Sequence, residues 1–467
     1  MKKVVEVVVA MGAAAAVTGA EPPAVVSHHD AEGRTVSLTV YNVGRALVRD
    51  ARRVNLPVGE VSLEFRDIAS QVIPETVAVA GEGVTVIEQN YEYDLLSPQT
   101  LLAKYLNRDV TLVVEEPGEL PAQMVLRRRT GRLLSVENGT VWRIGDDIVM
   151  NPSYRHLVFP EVPAVLRDRP TLVWLLRSVR AGERRLEATY LTAGITWKAD
   201  YVLTLDGEGK QGDLLGWITV DNQSGASYPQ AALQLVAGDV HLAPAPRAVF
   251  AEAMVAKAAQ APVEEESFAE YHLYTVPRPT TIKERQQKQI AFLEKSGITV
   301  GRRYVVEGSS GLFRSRIGVQ RHDVRVEIDL ANRTANQLGV PLPAGTLRMY
   351  QKDRRGTAQF VGEDTIRHTP VDETVTLTMG NAFDLVAERR QTEYRRFDSV
   401  SESAFEVTLR NHKETSVTVT VRERLGGDWE MLSHSHPFIK ESAFGVVFEV
   451  PVEAKGAATL KYRVRVR

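Results

Sequence analysis

The chain of 467 residues contains no cysteine. That excludes a disulfide framework, a thiol nucleophile, cysteine-ligated zinc and a lipid carried on an N-terminal cysteine, so stability must rest on packing. Aromatic residues are sparse, at 7%, and the charges nearly cancel, with 57 Lys and Arg against 59 Asp and Glu. Such a balance supplies no global field for nucleic acid. Beyond the N-terminus there is no long apolar run of the kind that crosses a bilayer as a helix. Phosphate-loop and H-E-x-x-H sequences are also missing, which removes two common routes to nucleotide and zinc chemistry.

What is present begins with MKKVVEVVVAMGAAAAVTGAEPP. Lys2 and Lys3 precede an apolar stretch, and small residues lead to a proline pair, the layout of an export signal over residues 1–20 with cleavage after Ala20. The mature chain is then expected to be periplasmic or secreted, with no membrane span. An exported chain without cysteine fits a bacterial envelope.

From residue 34 onward, apolar and polar residues alternate over short runs between Gly, Pro and Asn clusters, the signature of β-strands. A strand, tight reversal and strand recur at RRVNLPVGEVSLEF and LGVPLPAGTLRMY, where proline presets φ and glycine permits its sign to change. The expected fold class is mainly β: several Ig-like or β-sandwich modules, a small β-barrel, and one short helix after a flexible linker. An N-terminal β-domain covers 27–97, and the barrel covers 98–165. A central sandwich is assembled from 166–242 and 297–398. The Ala- and Pro-rich stretch 243–280 reads as the linker. Thr281 with Glu284 makes a capping box that predicts a helix over 281–296, stopped by Gly297. A last sandwich module covers 399–467.

Several stretches invite chemistry. In TAGITWKADYVL, strand alternation sets Trp197 on one face and Lys198 with Asp200 on the other, which predicts a core anchor and an ion pair rather than a catalytic cluster. Gly207, Gly209 and Gly212 fit G-x-G-x-x-G, but a strand rather than a helix follows, so a hairpin turn is expected. His434 and His436 alternate on one strand with Glu430 in phase, the best metal candidate in the chain, yet no further ligand is evident. The stretch Gly308–Gly311 lacks the spacing of a nucleophile elbow. Glu363 and Asp364 are the residue types a glycosidase needs, with nothing in the sequence to fix their separation. Arg127, Arg128 and Arg129 lack the interleaved aromatics of a nucleic-acid surface. Lys461, Arg463, Arg465 and Arg467 form a basic row on the final strand, of the sort that guards a sheet edge or docks an anionic polymer. Tyr271, His272 and Tyr274 form an aromatic cluster suited either to a partner or glycan surface or to covering a core.

Three longer phrases, LTAGITWKADYVLTLD, GWITVDNQSGASYPQAALQLVAGDV and VPLPAGTLRMYQKDRRGTAQFVGEDTIRHTPVDETVTLTMGNAFDLVAERR, resemble the bacterial family called domain of unknown function 4139, which includes mucoidy-inhibitor-A-like proteins. The resemblance runs from about residue 185 to 467, and VYNVGRALVRDARRVNLPVGEVSLEF is similar to the β-domain that often precedes it. It implies an exported β-rich protein and carries no catalytic residue. Members usually hold a long coiled coil where this chain has the stretch 98–165.

The expectation is an exported, non-enzymatic β-protein that binds or scaffolds an envelope protein or polysaccharide, without cofactor or metal and without nucleic acid. Tyr271, His272 and Tyr274 are its candidate partner-binding residues. Two alternatives stand beside it. One is an envelope hydrolase acting on glycans through carboxylates or a His434/His436 metal site. The other is an assembly protein that pairs with partners through sheet edges.

Overall fold

The computed structural model describes residues 24–28, 33–92, 94–118, 124–238, 264–268 and 271–467. The expected export signal and the greater part of the expected linker lie outside them. The chain divides into two compact units: Met1–Val36, Val48–Leu191 and Ser224–Ala226 form the first, and Ser37–Leu47, Thr192–Gln223 and Ser227–Arg467 form the second. Both are built from strands, as the alternating pattern requires, and one α-helix occurs among the described residues. No helix among them is long and apolar enough to cross a membrane.

The first unit contains a four-stranded sheet in which Gly59–Arg66 lies between the parallel strand Ala24–His28 and the antiparallel strand Thr171–Ser178, with Val84–Glu92 beyond. Val61, Leu63 and Phe65 face Leu176, Trp174 and Leu172 across the ladder, and all six are buried. The Phe65 and Trp174 rings sit 5.2 Å apart.

Residues 98–165 fold differently from the expected barrel. Five strands follow the order Asp147–Met150, Val141–Ile144, Met124–Ser135, Asp109–Pro117, His156–Val158, and the sheet stays open. Its two outer strands have four and three residues, too short to tilt round and close on one another. The helix Pro98–Lys104 covers the core in their place: Leu101 and Leu102 pack on Val110, Leu112, Leu133 and Trp142. Its start is fixed by a capping box, in which the Thr100 amide donates to Ser97 Oγ at 3.1 Å and the Ser97 amide donates to Thr100 Oγ1 at 2.9 Å.

The helix expected over 281–296 is instead the start of the longest strand, Gln286–Glu307. The local capping signal is spent elsewhere. Thr281 Oγ1 accepts from the Gln230 amide at 3.1 Å, and the Glu284 amide donates to Ser227 Oγ at 3.0 Å. Burial then alternates along the segment, and pairing with Gln211–Asn222 satisfies the backbone that a helix would have satisfied internally. Gly297 sits at φ +70° beside a bulge in that ladder, its amide donating to Asp213 Oδ1 at 3.1 Å. The end of the expected linker is also ordered: Tyr271–Thr275 pairs with both Tyr228–Ala237 and Glu264–Phe268.

The long strand organises the second unit. It belongs to a large sheet running Ala358–Ile366, Gly345–Lys352, Ile195–Leu205, Gln211–Asn222, Gln286–Glu307, Val417–Arg424, Gly445–Val452, Phe438–Ser442, with Arg325–Ala331 and Thr374–Asn381 branching from it. The branch returns toward Ala358–Ile366 without a ladder. There the Thr378 amide donates to Asp364 Oδ2 at 2.7 Å. Gly362 is required at this close approach, because a Cβ would fall 2.3 Å from the Met379 carbonyl oxygen.

At its far end the large sheet packs on a second sheet ordered Val319–His322, Leu385–Phe397, Val400–Asn411, Ala457–Val466, Trp429–His434. Val419, Val421, Phe448 and Val450 meet Phe405, Val407, Leu460 and Val464 in one core, a β-sandwich. The basic final strand is therefore no sheet edge. It lies between two others, and its cations meet an acidic row: Lys461 with Glu406, Arg463 with Glu393, Arg465 with Glu402 and Glu430.

Candidate functional site

The strand Ile195–Leu205 resolves as its alternation requires. Trp197 is 3% exposed, donates from Nε1 to the Val236 carbonyl at 3.1 Å and packs on Tyr274. On the opposite face, Asp200 accepts from Thr219 Oγ1 at 2.8 Å and from Arg348 at 3.3 Å, with Lys198 Nζ 3.7 Å away. Arg348 also reaches Glu363. The carboxylates of Glu363 and Asp364 are thus engaged in an ion pair and in the seam near Gly362, the work of holding strands together. Residues 206–210 form the hairpin turn between Ile195–Leu205 and Gln211–Asn222, so Gly207 and Gly209 lie in the turn and Gly212 in the second strand. The Lys210 amide donates to Asp206 Oδ1 at 2.9 Å, and this bond, with the turn's other amides, lowers the Asp206 pKa.

Tyr271, His272 and Tyr274 do not form one exposed surface. Tyr274 is buried between Trp197 and Phe292 and donates its hydroxyl to the Pro341 carbonyl at 3.2 Å. Tyr271 and His272 are half-buried, and His272 lines a crevice of about 50 Å³ with Pro341, Pro343 and His368. The histidine pair is turned to local bonds. His434 Nδ1 donates to the His436 carbonyl at 2.9 Å, His436 Nδ1 lies 2.9 Å from Ser435 Oγ, and Glu430 pairs with Arg465. Among the described residues no group of three His, Asp or Glu side chains is placed to hold a metal ion. Arg127 and Arg129 share Glu116.

A concavity lies at the end of the sandwich, a recess of about 530 Å³. It is built from the end of the strand Val417–Arg424 with Leu425 and Gly426, from the Glu441–Gly445 turn, and from Ser310. Alternation along Val417–Arg424 decides what enters it. Val419, Val421 and Glu423 turn into the sandwich core, so Arg422 and Arg424 are delivered to the other side. Arg422 is anchored: its NH1 donates to Glu307 Oε1 at 2.9 Å, and its Nε lies 3.2 Å from Glu441 Oε2. Arg424 is 70% exposed, with Glu307 3.9 Å away. The Arg314 guanidinium stands beside Gly426, within 3.0 Å of where a Cβ on that glycine would be. Phe444 forms the lip and is 60% exposed. Its position is set by two bonds: Leu425 N donates to the Phe444 carbonyl at 2.7 Å, and Phe444 N donates to Ser442 Oγ at 3.2 Å.

Beneath the recess, Glu423 crosses the sandwich to Arg389, with both side chains fully buried and 2.5 Å between Oε1 and NH2. Arg389 NH1 also donates to His322 Nε2 at 2.7 Å, which requires a neutral imidazole. Burial, reinforced by the neighbouring guanidinium, holds the His322 pKa down to about 4. Burial pushes Glu423 up, against the pull of Arg389. Tyr462, its ring stacked between Phe405 and Phe448 at 5.4 Å from each, completes the cluster. Gly308 leaves the room: a Cβ there would sit 1.8 Å from Glu423 Oε2.

Of this region the sequence reading touched only the stretch Gly308–Gly311, which supplies Ser310, and it missed the arginines and carboxylates. The region's one local signal was Arg422-Glu423-Arg424, alternating charge on a strand, which predicts an inward carboxylate and two outward cations. No family model matches the chain, and no curated protein matches it either.

Proposed function

We propose that the chain is an exported, non-enzymatic multidomain β-protein that binds a component of the bacterial cell envelope, and that it belongs with the domain of unknown function 4139 family. Support for export comes from the leader at residues 1–20, and support for the family from the phrases around TAGITWKADYVL and VPLPAGTLRMY. The observation that carries the binding role is the recess between Arg422, Arg424, Glu441 and Phe444, which joins fixed charge, an exposed aromatic ring and a size in the ligand-site range of roughly 300–1,000 Å³. The carboxylates and histidines that the hydrolase alternative needs are engaged in holding strands together or in local bonds, which favours binding over hydrolysis.

Expression of the full chain with its own N-terminus in a Gram-negative host tests this reading. Osmotic shock should release a chain whose intact mass lacks residues 1–20, and the immobilised mature chain should retain an envelope component. Full-length protein held in the cytoplasm, or turnover of envelope glycans by the pure mature chain, would overturn it.

A further inference from the structure

We infer that the recess recognises an acidic saccharide, a sugar ring bearing one carboxylate; the inference rests on the binding role proposed above and names its ligand class. Charge is the first ground. The residues lining the recess carry two guanidiniums, Arg422 and Arg424, against one carboxylate, Glu441, leaving one net positive charge. That suits a monoanion. A phosphate ester, close to a dianion at neutral pH, would bring one charge too many.

Unspent hydrogen-bonding capacity is the second ground. Arg422 is only 19% exposed and its NH1 is committed to Glu307, but its Nε meets Glu441 outside hydrogen-bond geometry. Among the described residues neither that Nε nor Glu307 Oε2 has a hydrogen-bond partner, although both are buried. Buried polar atoms are normally satisfied, so the open Nε of Arg422, a residue that lines the recess, is a donor that an incoming carboxylate would complete. Arg314 stands beside the lining residue Gly426, and among the described residues no carboxylate lies within salt-bridge distance of it.

The lip supplies the third ground. Phe444 exposes its ring beside Ser442 and Glu441. An aromatic face next to a hydroxyl and a carboxylate suits the apolar C–H face and the hydroxyl rim of a sugar ring together. Arg424 stands across from it, able to close on a carboxylate in bidentate fashion.

Isothermal titration of the full mature chain tests the inference with three probes: an oligogalacturonate, its methyl ester and a sugar phosphate. The acid should bind, more weakly as salt rises. The ester, alike in shape but uncharged, should bind at least about tenfold more weakly, the scale of one charge-assisted hydrogen bond. Arg424→Ala should cost the acid about tenfold and Phe444→Ala several-fold; both side chains are mostly exposed, so unchanged melting curves confirm the fold. Equal affinity for acid and ester, preference for the phosphate, indifference to both substitutions, or no binding of the acid would each overturn the saccharide assignment. Retention of another envelope component by the same preparation would leave the binding role standing, so the two readings fail separately.

Discussion

Each unit buries a guanidinium–carboxylate contact, and the two are completed in different ways. In the first unit, Asp50 accepts four bonds: Arg34 and Arg52 each donate Nε to Oδ1 at 3.1 Å, and their NH2 groups reach Oδ2 at 2.8 and 2.7 Å. Arg52, itself buried, lies 3.7 Å over the Phe65 ring, so its charge faces both a carboxylate and a π-cloud. In the second unit Glu423 takes one guanidinium on one oxygen. The Tyr462 hydroxyl interacts with both Glu423 and Arg389, but it, Glu423 Oε2 and Arg389 Nε meet outside good hydrogen-bond geometry. The first site is saturated by fork geometry. The second leans on a neutral histidine and on shape, which makes it the more responsive of the two to pH and to small steric changes.

The largest effects should come from breaking either site. Asp50→Ala and Arg389→Met each strand a buried charge and should cost about 3–5 kcal/mol in urea unfolding. The sites should part in the second step. Adding Glu423→Leu to Arg389→Met removes the whole ion pair and should recover most of the loss, as apolar replacement of buried pairs often does. Failure to recover would mean that the pair specifies the sandwich rather than merely occupying it.

Next in size is Gly308→Ala. Its methyl group would collide with Glu423 Oε2, and the core must shift to admit it, at a cost of about 1–3 kcal/mol. A stable Gly308→Ala protein would show the second site to be looser than its geometry.

The pH response sharpens the contrast further. An unfolded histidine takes up its proton near pH 6.5 and His322 in the fold only near 4, so between those values the unfolded chain binds more protons and stability rises with pH. Glu423 acts in the opposite sense, since burial lets the folded form keep its proton to higher pH than an unfolded glutamate does. The histidine part is isolated by His322→Gln, whose amide oxygen can still accept from Arg389. From pH 6.5 down to 4, wild type should lose stability relative to the variant; parallel profiles would contradict the neutral-imidazole role. The smallest expected effect is Arg424→Ala, whose exposed side chain should change stability by less than about 0.5 kcal/mol.

Much of this architecture was legible because alternation is a local signal. Trp197 inward and Asp200 outward follow from a period of two, and the turn that holds Gly207 and Gly209 from the strands on either side of it. Where the reading failed, a local signal was overruled by a distant partner. Thr281 and Glu284 cap a helix only if nothing else claims them, and Gln230 and Ser227 do. The basic row at the C-terminus looked like an edge because the acidic strand beside it begins some sixty residues earlier. The recess was hidden for the same reason: Arg422, Glu441, Ser310 and Arg314 become neighbours only once three separate strands have paired. Composition and periodicity carry no record of that pairing.

Hydrogen–deuterium exchange of the mature chain, with and without oligogalacturonate, puts the account to its most direct test. Protection should appear in peptides covering 422–426 and 441–445, and stay unchanged over 195–205 and 358–366, where the polar side chains are engaged in holding strands together. Protection centred on Lys198–Asp200 or Glu363–Asp364, with the recess unaffected, would contradict it.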